Sequence, residues 1–103
     1  MLIHIQKDPQ PNDVVAIKLV SGEELLAKLV SINGDEYTVE KPVLMHLVPV
    51  GNGQAQVQFA PFMLGLESDA KITINYSKMV LRPVVARDDA GKQYIQSTTG
   101  IAL

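Results

Sequence analysis

The chain reads as all-β: a small, strongly bent antiparallel barrel of five strands, with an extended hairpin inserted and extra segments at the termini. Three observations predict this. Apolar residues alternate with period two from Val15 to Tyr37, the spacing of strands that each own an inner face. Turn formers punctuate the alternation at Ser21-Gly22, Asn33-Gly34 and Gly51-Asn52-Gly53. Finally, 103 residues suffice for one core and not two, so residues 1–103 form a single domain; at 47% hydrophobic but 5% aromatic, its core is aliphatic and thin.

In chain order, Leu2-Ile3-His4-Ile5 is a short edge strand, and Asp8-Pro9-Gln10-Pro11-Asn12-Asp13 is a boundary whose prolines preclude a helix. Ile17 and Leu19 alternate with Ala16 and Lys18 in the next strand. Leu25, Ala27 and Leu29 alternate with Leu26, Lys28 and Val30 in the one after it. Gly22 supplies positive φ at the first reversal, and Asn33-Gly34 is read as the central pair of a type I′ turn into a third strand. The continuous apolar run Val43–Val50 is too short for a helix and predicts a strand buried on both faces. Gln54–Phe59 alternates after Gly-Asn-Gly and pairs back on that run. Pro61 and Gly65 break the sheet, with Pro61-Phe62-Met63-Leu64 placed to cap the barrel. Lys71–Tyr76 is a further strand, Ser77-Lys78 a tight connection, and Met79–Val85 the last barrel strand. Asp88-Asp89-Ala90-Gly91 is read as a turn, and Lys92–Gln96 as a strand or one helical turn.

The order Ile17-x-Leu19-Val20-Ser21-Gly22-x-x-Leu25-x-Ala27-x-Leu29-x-Ser31-x-Asn33 resembles the first signature motif of the Sm/LSm family, particularly its bacterial RNA-chaperone branch, Hfq. Met79-Val80-Leu81-Arg82-Pro83-Val84-Val85 resembles the second motif, with Pro83 where the family has glycine. Together the two cover about a third of the chain. They leave residues 42–75 unexplained, and the helix with which family members commonly begin has no counterpart. The resemblance implies an Sm-like (SH3-like) barrel that assembles into a homo-oligomeric ring and binds single-stranded RNA, or DNA, without catalysis.

In the family, a loop from each motif contributes a stacking side chain, a group that reads the base edge and a cation. Carried across, the implied RNA-binding residues are Asn33, Tyr37, Ser77, Lys78 and Arg82. Asn33 falls where the family usually has an aspartate that braces the loop, and Asp35 lands on the stacking position, where it cannot stack. Tyr37 is the nearest aromatic; it is either a substitute for the missing stacker or a packing residue. Arg82 matches the second motif's arginine, whose planar guanidinium can stack on a base or fork to phosphate. Its alternative is an exposed strand-end charge or a partner for a carboxylate across a subunit boundary. Ser77 and Lys78 offer a hydroxyl and a phosphate contact, and turn chemistry accounts for them equally well. Tyr76 and Tyr94 are read as packing residues whose hydroxyls reach solvent.

Charge distribution agrees with a basic rim on an acidic whole. Residues 1–70 hold four lysines against nine acids, whereas residues 71–103 hold five cations against two acids. The absence of cysteine excludes a thiol nucleophile and any Cys-based zinc site. Met1–Asp8 lacks the long apolar core of a signal peptide and no apolar run approaches the ~20 residues of a membrane span, so the expectation is a soluble cytoplasmic protein with no membrane partner. His4 and His46, set among aliphatic residues, are read as structural. The acid pairs Glu23-Glu24, Asp35-Glu36 and Asp88-Asp89 fall in expected turns, and no phosphate loop, metal motif or nucleophile elbow is present. The reading is a non-enzyme without cofactor or metal. Its rivals are a structural adaptor oligomer that mediates protein contacts without nucleic acid, and a monomeric peptide-binding module. An open antiparallel sheet leaves two bare edges, and pairing the last strand of one subunit with the preceding strand of the next would seal both.

Overall fold

The computed structural model describes residues 8–99 and is a six-stranded antiparallel sheet with one C-terminal helix. The expected N-terminal strand Leu2–Ile5, with His4, lies outside the described residues. Strand β1 (Val14–Lys18) pairs with β2 (Glu24–Asn33), and β3 (Glu36–Gly51) returns beside β2. The near half of β3 then takes β5 (Lys71–Asn75) on its other side, and the far half takes β4 (Gln54–Pro61). A 3₁₀ turn, Tyr76–Lys78, leads to a single bridge between Met79 and Leu19, after which β6 (Val84–Val85) pairs with β1. Helix α1 (Asp88–Thr99) follows.

The apolar alternation does the work expected of it. Val15, Ile17, Leu25, Ala27, Leu29, Tyr37, Val39 and Met79 are buried in one cluster on the concave face, with Leu44, Phe62, Ile72, Ile74 and Tyr76 packed around them. Each such aliphatic side chain, fully buried, contributes about 1.5–3 kcal/mol relative to exposure. Two register shifts bend the sheet around this cluster. One lies between Leu29 and Ser31; the other lies between Leu26 and Lys28, where Lys41 of β3 sits at φ +53° before the buried Pro42.

The sheet runs β4-β3-β2-β1-β6 with β5 beside β3, and strand pairing does not close it into a barrel. Six strands form because Val43–Val50 is not a separate strand but the continuation of β3. Nor is that run buried on both faces: Leu47 is 68% exposed and Val50 52%, since β4 supplies hydrogen bonds but no layer lies over this half of the sheet. His46, in the same stretch, is exposed rather than buried.

Four further expectations change. Asn33 is not a central turn residue: it pairs with Glu36, leaving Gly34 and Asp35 in the middle, and only Gly34 has positive φ (+63°), the requirement of a II′ rather than a I′ turn. The I′ arrangement occurs instead at Asn52-Gly53, both at positive φ. The last strand shrinks to Val84-Val85 because Pro83 has no N–H to donate and Met79 holds only a bridge. Of the residues expected to cap the barrel, Phe62 packs against the core while Met63 and Leu64 are exposed.

The fourth change is α1. Asp88 and Asp89 open a helix rather than a turn, their charges favourable at its N-terminus, with Lys92 bonded to Asp88 one turn on. The helix lies on the convex face, where Gly91 sits against Val14 and the buried Tyr94 donates its hydroxyl to the Lys41 carbonyl at 2.6 Å. No helix among the described residues is long and apolar enough to cross a membrane.

Candidate functional site

Two segments more than forty residues apart in the chain meet at one end of the sheet. The β2–β3 turn carries Asn33, Gly34 and Asp35, and the segment after β5 carries Ser77, Lys78 and Arg82. Backbone and side chains both fasten them: the Tyr76 N–H donates to the Asp35 carbonyl at 2.7 Å, and Arg82 Nη2 lies 2.9 Å from Asp35 Oδ1. The 3₁₀ turn that delivers Lys78 is held by Asn75 Oδ1, which accepts from the Ser77 N–H, and by the Met79 N–H bonded to the Tyr76 carbonyl. Lys78 and Val80 then exchange backbone bonds with Val20 and Lys18 at the end of β1.

Arg82 is the hub. Its Nη1 donates to the Tyr37 hydroxyl at 2.8 Å, and its Cζ stands 4.1 Å from the centroid of the Tyr76 ring. Bonds to Tyr37 and Asp35 hold the guanidinium firmly in its charged form, above its already high ordinary value. Buried Pro83 contributes from behind, because a residue before proline is confined to extended backbone, which fixes the direction of Arg82. Proline at this position therefore stiffens the site. About half of the Arg82 side chain remains exposed, so the guanidinium is fixed in place yet still open to solvent.

Of the five residues singled out from the sequence, Asn33, Ser77, Lys78 and Arg82 are exposed on these two segments. Lys78 enters none of the ion pairs among the described residues. Tyr37 is different: its ring is 4% exposed within the core, so its faces are occupied by protein, and the packing role is the one it has. Only its hydroxyl reaches the site.

Two members escaped the sequence. Asp35 supplies the brace expected of Asn33, and Tyr76 supplies the aromatic platform. In sequence Asp35 stands out only as a residue that cannot stack, and the carboxylate expected for Arg82 is one across a subunit boundary rather than one within the chain; the Tyr76–Arg82 stack depends on the 3₁₀ turn that begins at Tyr76, which residue alternation does not encode.

Among the described residues no group of three or more His, Asp or Glu could hold a metal. The acids sit in ion pairs or in solvent, Asp89 with Arg87 and Glu40 with Lys28. No family model matches this chain, and no curated protein matches it in sequence.

Proposed function

We propose that the chain is an Sm-like, non-catalytic domain that assembles head to tail and binds single-stranded RNA, or DNA, at the junction of the β2–β3 turn with residues 76–82. The observation that carries this is the Asp35–Arg82–Tyr76 stack, which joins the two segments that the sequence motifs single out. A base would lie on the outer face of the guanidinium, with Tyr76 behind it; such stacking contributes about 1–3 kcal/mol per base. Lys78 would take a phosphate, and the Asn33 carboxamide and Ser77 hydroxyl would read the base edge. Assembly is supported by sheet edges unpaired among the described residues, of which the outer side of β5 and the segment Met79–Val85 lie nearest this site. Around a ring, one free lysine and one oriented arginine per subunit would make a local positive rim on an acidic protein.

A titration of oligo-U and oligo-A by fluorescence anisotropy across salt concentrations tests it. Binding at low salt with log K falling linearly against log salt is expected, and the Arg82→Ala, Lys78→Ala double variant should flatten that slope. No binding at low salt, or binding that the double variant leaves unchanged, overturns the reading. A second reading, an adaptor oligomer without nucleic acid, draws on a specific observation: the Arg82 charge is already answered by Asp35 within the same chain.

A further inference from the structure

The far half of β3 and β4 form an arm that extends past the core, and the outer strand of that arm, β4, has a partner on one side only. Two prolines fix which of its backbone groups face the open side. Pro49 pairs with Ala55 and Pro61 with Val43, and a residue without an N–H belongs to a pair that exchanges no bonds across the ladder. Pairs alternate in kind, so Gln56, Gln58 and Ala60 turn their N–H and C=O groups to β3, while Ala55, Val57 and Phe59 turn theirs outward. Among the described residues no hydrogen bond answers those outward groups.

A free edge of this kind invites pairing, and proteins ordinarily blunt it with a charge, a proline, a bulge or a very short strand. Strand β6 has two residues, and β5 carries Lys71. By contrast β4, Gln54–Pro61, is eight residues long and has no charged side chain; its one proline is its last residue, and the register shift of this hairpin lies in β3, between Pro49 and Gly51. Such an edge fits an extended strand, which alone presents N–H and C=O groups at the matching spacing. The side-chain order says which strand. Gln54-Ala55-Gln56-Val57-Gln58-Phe59-Ala60 is close to symmetric in polarity about Val57. Laid antiparallel on its own copy about a two-fold axis through Val57, normal to the sheet, it sets Val57 against its counterpart and Ala55 against Phe59, the residues whose backbone groups point outward. A small side chain then meets a large one on the apolar side of the arm, and Gln56 meets Gln58 on the other. Carboxamides carry both donor and acceptor, so these pairs satisfy each other, and no like charges are opposed.

We propose that β4 is a self-complementary edge: two copies of the chain join β4 to β4, antiparallel and centred on Val57, so that their arms form one continuous sheet. The contact is made through backbone at the edge. It does not involve the groove beside the arm, whose walls include Lys18, Glu24, Arg87 and Asp89, and it uses neither edge of the head-to-tail pairing. It stands whether or not the chain binds RNA.

The sequence is free of cysteine, which makes single-cysteine probes unambiguous. On mild oxidation Val57→Cys should give a covalent dimer, since residues paired in this way bring their Cα atoms to about 5.5 Å, within disulfide reach. Gln56→Cys and Gln58→Cys should each cross-link poorly alone, because neither meets its own copy, and several-fold better when the two chains are mixed. Val57→Pro, at a position 37% exposed, removes an N–H that β3 does not use. Its circular-dichroism melt should stay in place while self-association by sedimentation velocity weakens at least tenfold. Equal cross-linking at all three positions, or the same sedimentation for wild type and Val57→Pro, overturns the proposal. So does slow amide exchange at Ala55, Val57 and Phe59 that is unchanged on dilution, which would assign the edge to a segment of the same chain.

Discussion

Arg82 shows how one side chain can be spoken for and still be available. Asp35 and Tyr37 bind its edge and Tyr76 covers one face, which orients the plane while about half of the side chain stays exposed. The charge survives because the guanidinium cannot give up its proton. Tyr94 is the opposite case, a polar group wholly withdrawn. Its hydroxyl donates to the Lys41 carbonyl at 2.6 Å and lies 3.3 Å from that of Glu40, and burial holds its ionisation well above the ordinary phenol value of about 10. The neutral form is therefore favoured in the folded state. Stability from this residue is complete below about pH 10 and is lost as pH rises above it, since the unfolded chain releases the proton first. Tyr94→Phe keeps the ring and removes the donor, which should cost about 1 kcal/mol at neutral pH. On a domain of this size that lowers the melting temperature by roughly 4–8 °C, measured by calorimetry. The deficit should shrink between pH 10 and 11, where wild type loses stability through this phenol and the variant does not.

At the scale of elements, the bends matter more than the strands. Lys41 holds φ +53° in the middle of a sixteen-residue strand, a conformation that costs an L-residue about 1–2 kcal/mol and a glycine almost nothing. It is kept there by the register shift opposite Ala27 and by the hydroxyl of Tyr94 on its carbonyl. Lys41→Gly should then be neutral or stabilising by up to about 1 kcal/mol in urea unfolding, after the entropy that glycine loses on folding is set against the strain relieved. Lys28→Gly, within β2 and without positive φ, should destabilise. The strands themselves could be read from residue alternation, because an inner face imposes period two wherever a core lies beneath it. Val43–Val50 departs from expectation for the same reason in reverse: a continuous apolar run signals burial on both faces, and here one half of the strand has no layer of its own chain to be buried under. Asp88-Asp89-Ala90-Gly91 has the composition of a turn, and what makes it helical is the docking of Tyr94 and the fit of Gly91 on Val14, neither visible locally. At the site, Arg82 and Lys78 stood out as cations at a strand end, whereas Asp35 and Tyr76 acquire their parts only through contacts made after folding.

Taken whole, the molecule divides between a compact core end and an arm that shares strand β3 with it. Core burial falls on β1, β2, the near half of β3, Met79 and Tyr94 of α1, with Ile72 and Ile74 of β5 partly buried against it, while every residue from Gly51 to Gln58 is exposed. Stability should therefore reside almost entirely outside the arm. Val48 and Gln56 are directly paired, and the proline of the next pair, Pro49–Ala55, makes theirs the hydrogen-bonded kind, so replacing Pro49–Ala55 by Asn-Gly would close the arm early with a two-residue turn of the kind already present at Asn52-Gly53. Such a shortened chain removes no core side chain and ends the ribbon where the sheet still has β2 beside it at Met45. Its urea midpoint should stay close to that of the full chain, with a slightly smaller m-value, because little surface buried on folding has been deleted. Any contact made through the arm should weaken, whereas assembly through the outer edge of β5 and the segment Met79–Val85 should persist, since neither is altered. Sedimentation velocity of the two chains separates these contributions: loss of all higher-mass species on shortening would place the whole of the assembly in the arm, and an unfolded product would mean that the arm, despite its exposure, holds the bent half of β3 in place.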